Sequence, residues 1–271
     1  MTIEEIRLTV NDAFLAFAEE YDRYTKGATG DGSTMLLNEV ETYLGRHKGK
    51  QLRPLLVLLS AAACGKVTRK HVLMATAMEL LHNATLMHDD VVDESDERRG
   101  DLSVRKRWGN QVAVLCGDFF LSQVMAILQE AGVREASAIV DEAVATMIRG
   151  ELAQLYWTAR DGVSQSVYID VIGCKTAALM ASCCELGALP MEDGQETTYR
   201  EALRDYGYHY GLVFQMRDDL ADGQTRHDIR MTDTSGIEAL IATHKQLAAK
   251  ALSALPDGRA REALRGLLDT I

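Results

Sequence analysis

Apolar residues recur every three or four positions along almost the whole of this 271-residue chain, and no run alternates convincingly as a half-buried strand would. That periodicity predicts helices from His71 to about Asp93, around Val112 to Leu128, and from Asp141 to Trp157. It predicts further helices over Lys175–Leu186, Thr197–Asp219 and Gly236–Leu252. Only Pro54, Pro190 and Pro256 could break a helix, so long ones are left intact. Turn signals separate the segments at Gly100-Asp101, Gly132, Asp161-Gly162, Pro190 to Gly194, Asp222-Gly223 and Pro256-Asp257-Gly258. None resembles a long linker and no repeat stands out, so one all-α domain covering 1–271 is expected. The stretch Ala113 to Leu128 is apolar nearly all round, which suits a central helix of a large bundle.

A net charge of −11 argues against sequence-independent nucleic-acid binding, which requires a basic surface. It leaves room for an anionic substrate if divalent cations and a few local Lys or Arg residues bridge the repulsion. The opening Met1-Thr2-Ile3-Glu4-Glu5 carries acid where an export signal carries base, and none is expected. The apolar stretch Leu55 to Cys64 is well short of the ~20 residues that span a bilayer, so no transmembrane segment is expected. Cys64, Cys116, Cys174, Cys183 and Cys184 are odd in number and form no C-x-x-C. They read as small buried hydrophobes in a reducing cytoplasm.

The strongest chemical signal is a repeated acidic pattern, Asp89-Asp90-Val91-Val92-Asp93 and Asp218-Asp219-Leu220-Ala221-Asp222. Positions four apart share a helix face, so Asp89 with Asp93, and Asp218 with Asp222, can each share a cation. Oxygen-only donors select hard cations such as Mg²⁺, which bridges carboxylates to substrate phosphates. A lone D-D-x-x-D is as often a solvated helix end, but two copies, each closing an apolar helix, are harder to dismiss. Basic residues flank the first copy: Lys48, Lys50 and Arg53 before one apolar helix, and Arg98-Arg99 directly after the aspartates.

Together these motifs resemble the trans-isoprenyl diphosphate synthases. The resemblance runs through Lys50-Gln51-Leu52-Arg53-Pro54, His82, Asp89 to Ser95, Arg98-Arg99-Gly100, Gly117-Asp118-Phe119, Lys175-Thr176 and Phe214 to Asp219. From His82 to Gly100 it is similar to the long-chain, octaprenyl-type polyprenyl synthetases. It implies the isoprenoid synthase fold, a single bundle of about ten or more helices around a central cavity, and a homodimer. It implies about three Mg²⁺ ions on Asp89, Asp93, Asp218 and Asp222, with Asp90, Asp219 and Lys175 also catalytic. Isopentenyl diphosphate would sit on Lys50, Arg53, His82 and Arg99. An allylic diphosphate (dimethylallyl, geranyl or farnesyl) would be held by Arg98, Lys175 and Thr176, with Gln215 beside the second motif. The allylic carbon–oxygen bond would ionise and the cation alkylate isopentenyl diphosphate, with no protein nucleophile. A growing tail would run along the first aspartate helix past Ala84 and Thr85 toward Leu81, with Phe119, Phe120 or Val124 as a floor. Ala84 and Thr85 are small where short-chain members tend to carry a ring, so products longer than C20 are expected.

The chain departs from the family after Asp222, where a Gly-Lys loop and further helices usually follow; residues around 223–235 look shortened, with Arg217 or Arg226 as a substitute cation. A class I terpene cyclase would share the first motif but not the all-Asp second one, nor give a reason for Lys50, Arg53 and His82. A non-catalytic subunit of a heteromeric synthase would tend to lose the aspartates kept here. His88-Asp89 hints at a metal phosphohydrolase, with His71 and His82 as partners, and Glu79-Leu80-Leu81-His82 at half of a di-iron site. The first is a two-residue match; the second lacks its other E-x-x-H.

Overall fold

A computed structural model describes residues 1–26, 32–46, 49–160, 163–189, 199–222 and 236–271. Helices dominate: α1 (Ile3–Arg7), α2 (Asn11–Thr25), α3 (Gly32–Gly45), α4 (Leu52–Cys64) and α5 (Arg69–Val92). A two-residue ladder, β1 (Glu97–Arg98) with β2 (Asp101–Leu102), leads to α6 (Val104–Trp108), α7 (Asn110–Ala131), α8 (Arg134–Thr158) and α9 (Gln165–Ile172). A π-helical turn, Gly173–Ala177, joins α9 to α10 (Ala178–Gly187); α11 (Arg200–Asp222), α12 (Ile237–Ala251) and α13 (Arg259–Leu267) follow. The hairpin and the π turn are departures from the periodicity, and both are too short to change the pattern of a long window. Gly132 closes α7 at φ 63°, as expected of a left-handed helix stop. The turn signals at Asp161-Gly162, Pro190 to Gly194 and Gly223 lie outside the described residues, as do Thr197 and the shortened stretch 223–235.

By contact the chain forms two compact units, one of Met1–Asn11, Leu56–His71 and Arg134–Ile271, the other of Asp12–Leu55 and Val72–Val133. In the first, Tyr168, Val171, Ile172, Leu212, Val213, Met216 and Ile241 make a buried cluster. Two glycines let α11 lie against its neighbours: a Cβ on Gly207 would stand 2.6 Å from the Met180 carbonyl oxygen, and one on Gly211 2.6 Å from Ala177 Cα. In the second, α5 is the central helix, with Leu73, Met74, Met78, Leu80, Leu81 and Ala84 all fully buried or nearly so. α5 is thus buried on several faces, whereas α7, whose stretch Ala113 to Leu128 reads as apolar nearly all round and suited to a central helix, leaves Val114, Leu115 and Met125 exposed.

Among the described residues, two helices, Asn110–Ala131 and Gln165–Gly187, are long and apolar enough to cross a membrane by length and composition alone, which the stretch Leu55 to Cys64 did not reveal. The second packs against α8 and α11, as a core helix does. On α7, Val114, Leu115 and Met125 face outward, while Ala113, Cys116, Phe120, Val124 and Ile127 face in.

Candidate active site

The first aspartate motif closes α5. Ser95 N–H donates to the Asp90 carbonyl (2.9 Å) and Glu94 N–H to that of Val91 (3.4 Å), with Glu94 at φ 52°. This is a Schellman ending in which glutamate fills the left-handed position usually given to glycine. Asp89 and Asp93 are half-buried on one face, while Asp90 turns inward and is 3% exposed. The chain then reverses through Arg99-Gly100, at φ 56° and 79°, which meets the requirement of a type I′ hairpin for two positive φ values. The reversal returns Arg98 to Asp90: its Nε donates to Asp90 Oδ1 at 3.0 Å, and Nη2 donates to the same oxygen. Burial pushes the Asp90 carboxyl up, and Arg98 pulls it back in part.

Gln51, immediately before α4, is the third non-glycine residue at positive φ (49°) among the described residues. All three lie inside the motifs read from sequence, and each costs on the order of 1 kcal/mol. Strain of this kind persists where function and surrounding contacts demand it. The Arg99 guanidinium lies over Gly49, its Cζ 2.7 Å from where a Cβ would stand. His82 is buried, and burial together with the charges of Arg53, Arg99 and Arg98 holds its imidazole well below its usual range, so it is neutral at pH 7. One helical turn earlier, Glu79 is also buried. A cavity of about 70 Å³ in this unit is lined by Tyr21, Glu79, Asn83, Asp90, Arg98 and Arg99, among others. Lys50, the remaining basic residue of the set, is exposed.

Leu81 and Ala84 are fully buried, and the half-buried Thr85 donates its hydroxyl to the His82 carbonyl (2.9 Å). Phe119 and Phe120 have ring centroids 6.1 Å apart; Phe120 and Val124 are buried. His88 Nε2 stands 3.4 Å from Asp118 Oδ1, in the space left by Gly117. His71 is committed elsewhere: Thr68 N–H donates to its Nδ1, and its Nε2 faces the Leu189 carbonyl, which removes it from any phosphohydrolase set.

The second motif closes α11. Asp218 is exposed and Asp219 half-buried; the side chain of Asp222 is not among those described. Neutral donors hold Asp219: Tyr168 O–H donates to Oδ2 (2.5 Å) and Gln215 Nε2 to Oδ1 (2.7 Å). The Thr176 hydroxyl donates in turn to Gln215 Oε1 (2.8 Å), so the π turn and the aspartate motif form one chain of hydrogen bonds. Lys175 Nζ pairs with Glu151 Oε2 at 2.8 Å. That approach depends on Gly150, where a Cβ would meet the Lys175 backbone nitrogen at 2.7 Å. Arg217 Nη1 pairs with Glu238 Oε1 (2.9 Å), and Arg226 is outside the described residues. No group of three or more His, Cys, Asp or Glu converges as a ready-made metal cage among the described residues.

Residues 34–230 match the polyprenyl synthetase family. The chain belongs to that family. It is 35% identical over 197 residues to octaprenyl diphosphate synthase of Escherichia coli K12, a match covering 71% of this chain and 59% of that one. It is 32% identical over 225 residues to heptaprenyl diphosphate synthase component 2 of Geobacillus stearothermophilus, covering 82% and 67%. The match thus spans about three-fifths of the octaprenyl relative's length. Among solved structures, the polyprenyl synthase of Caulobacter crescentus, crystallised with calcium and isoprenyl diphosphate, superposes with a TM-score of 0.88 at 26% identity, covering 99% of this chain and 96% of that one. The fold is the all-α isoprenoid synthase fold, as the resemblance implied.

Sequence reading missed Tyr168 and Glu151. Neither lies in a recognisable motif; the signals were Gly150 beside Glu151, and a tyrosine two helical turns before Lys175.

Proposed function

We propose that this protein is a prenyltransferase that condenses isopentenyl diphosphate with an allylic diphosphate, head to tail, to give a polyprenyl diphosphate longer than C20. The observation that carries the reading is the cluster of Arg53, Arg98 and Arg99 around a neutral His82 in the same unit as the first aspartate motif. Arg53 and Arg99, with Lys50, bind the diphosphate of isopentenyl diphosphate, and His82 donates a hydrogen bond without adding charge. Lys175 and Thr176 bind the allylic diphosphate, and Arg98 adds its charge. In the reaction the allylic C–O bond breaks, its electron pair leaves with diphosphate, the isopentenyl double bond attacks the allylic carbon, and a proton is lost.

Magnesium fits the donor set. Asp89 and Asp93 present oxygen donors four residues apart on a half-buried face, and Mg²⁺ commonly takes one or two carboxylates and completes its shell with phosphates and water. Asp89, Asp93, Asp218 and Asp222 are the residues that would hold about three such ions. When bound, they neutralise the charge of the departing diphosphate.

We read residues 1–271 as one polyprenyl synthase-like domain shortened around 223–235; the family match over residues 34–230 supports the synthase-like character of that part. A second copy of the chain is the proposed partner. The exposed Leu115 and Met125 of α7, each 66% exposed, support an apolar interface there. Three of the five cysteines are buried and none is in a disulfide, which fits a reducing, cytoplasmic setting. Burial pushes the Cys184 thiol up to about 12, so it is no nucleophile.

The test is to incubate purified protein with Mg²⁺, isopentenyl diphosphate and geranyl diphosphate, then size the extracted products. Chains beyond C20 are expected, and Ala84→Phe should shorten them to about three or four units, because a ring at this fully buried position would block a tail along α5. Wild-type products that stop at farnesyl, or an unchanged distribution in the variant, defeat the chain-length reading; no condensation at all defeats the activity.

A further inference from the structure

Glu151 belongs to none of the sequence motifs, yet it stands at a close junction between α8 and the π turn. Glycines make room for the turn on both sides. A Cβ on Gly150 of α8 would stand 2.7 Å from the Lys175 backbone nitrogen, and one on Gly173 would stand 2.7 Å from the Tyr208 hydroxyl oxygen of α11. π turns inside helices frequently mark functional sites. This one carries Lys175 and Thr176, and each has a polar partner on a different helix. The Thr176 hydroxyl donates to Gln215 Oε1 on α11, and Lys175 Nζ pairs with Glu151 Oε2 on α8 at 2.8 Å. The two paired side chains are only 27% and 17% exposed, so water weakens the pair less than it would at the surface. Glu151 Oε1 is buried and accepts no hydrogen bond. An unbonded buried carboxylate oxygen is a cost, and apolar residues would join two helices without it, so the charge itself needs a function.

We propose that Glu151 is a positioning residue for the allylic diphosphate, holding the Lys175 ammonium where it donates to that group. The inference rests on the reading of Lys175 as an allylic diphosphate ligand and adds the residue that aims it. An ammonium has three donors, so one can stay on Glu151 while the other two serve phosphate oxygens. The flexible four-carbon stem of lysine carries much rotamer entropy, and the pair with Glu151 removes it before the substrate arrives.

A glutamate that merely withheld the lysine would have the opposite sign, since removing it would free a cation and tighten binding. Calorimetric titration with geranyl diphosphate and Mg²⁺, without isopentenyl diphosphate, reads the sign directly. Lys175→Met should weaken binding at least about tenfold, the scale of a hydrogen bond to a charged group. Glu151→Gln, which keeps the shape of the side chain, should weaken it at least about threefold, a value discounted because both paired side chains keep some contact with water. In the Lys175→Met background Glu151→Gln should change nothing further, because the group it aims is gone. Glu151→Met serves if the glutamine variant does not fold. In steady-state assays Glu151→Gln should raise KM for geranyl diphosphate and leave that for isopentenyl diphosphate as it is. Tighter or unchanged binding in the Glu151 variants, with Lys175→Met still weakening it, overturns the positioning role and leaves the allylic diphosphate reading intact. An equal loss with and without Lys175 does the same, because it marks Glu151 as a brace of the fold. No effect of Lys175→Met overturns the reading of Lys175, and the role of Glu151 with it.

Discussion

The two aspartate motifs are identical in spacing but are held by different chemistry. In the first, the inward-facing Asp90 is gripped by the guanidinium of Arg98, in a unit that also gathers Arg53 and Arg99. In the second, the corresponding Asp219 is held by a tyrosine hydroxyl and a side-chain amide, with a threonine behind them. The nearby cation, Lys175, is already paired with Glu151. Helix geometry alone sets which two aspartates share a face, and that part is the same in both. What holds the middle aspartate depends on which element passes beside it, a tight hairpin in one case and the eight-residue α9 in the other. Both middle aspartates accept hydrogen bonds, from a guanidinium in the first motif and from an uncharged hydroxyl and amide in the second.

The largest expected effect tests what the motifs share. Asp89→Ala and Asp218→Ala should each lower turnover at least about a hundredfold, the scale of losing one preorganised charge-stabilising group, with far-UV helicity unchanged. Near-normal turnover in either variant would break the equivalence of the two.

The next effect tests how they differ. Arg98→Ala leaves Asp90 buried without its cation and should cost about 2 kcal/mol in urea unfolding, a value discounted because a third of Arg98 faces solvent. Tyr168→Phe removes one uncharged donor from the Asp219 carboxylate, which keeps that of Gln215, and should cost about 1.5 kcal/mol. Equal losses would mean that the charge of the guanidinium adds nothing at the first motif.

The smallest effect concerns pH. The folded-state pKa of His82 is depressed, so the unfolded chain binds a proton near pH 6.5 while the folded chain does not. The stability tied to His82 is therefore complete above pH 6.5 and is lost as pH falls, by up to ~1.4 kcal/mol per unit. His209 and His244, which face each other with Nδ1 atoms 3.0 Å apart, are depressed in the same direction, so the readout is the difference between wild type and His82→Gln. Parallel stability curves between pH 7 and 5.5 would show that the arginine-rich region carries no such penalty.

Much of this molecule is legible in its amino-acid sequence. The helix spans from His71 and Val112 lie within a few residues of α5 and α7, because a buried helix writes a 3.6-residue period over many turns, while the span from Asp141 misses the first two turns of α8, which starts at Arg134. The aspartate motifs, the basic flanks and Lys175-Thr176 are legible because each is a local run whose residue types serve one chemistry. Three things are not: the left-handed backbone at Gln51, Glu94 and Arg99, the π turn, and the partners Arg98 for Asp90, Tyr168 for Asp219 and Glu151 for Lys175. Backbone strain leaves no periodic trace, and none of the three residues at positive φ is a glycine or asparagine that would have marked it. The partners lie 8, 51 and 24 residues away along the chain, at separations that only packing brings together. Local sequence therefore determined the helices and the pairing of aspartates on one helix face, since both depend on spacing within one element. Tertiary structure alone decided the charge state of His82 and the hold on each middle aspartate, since burial and electrostatic field depend on what lies across a gap.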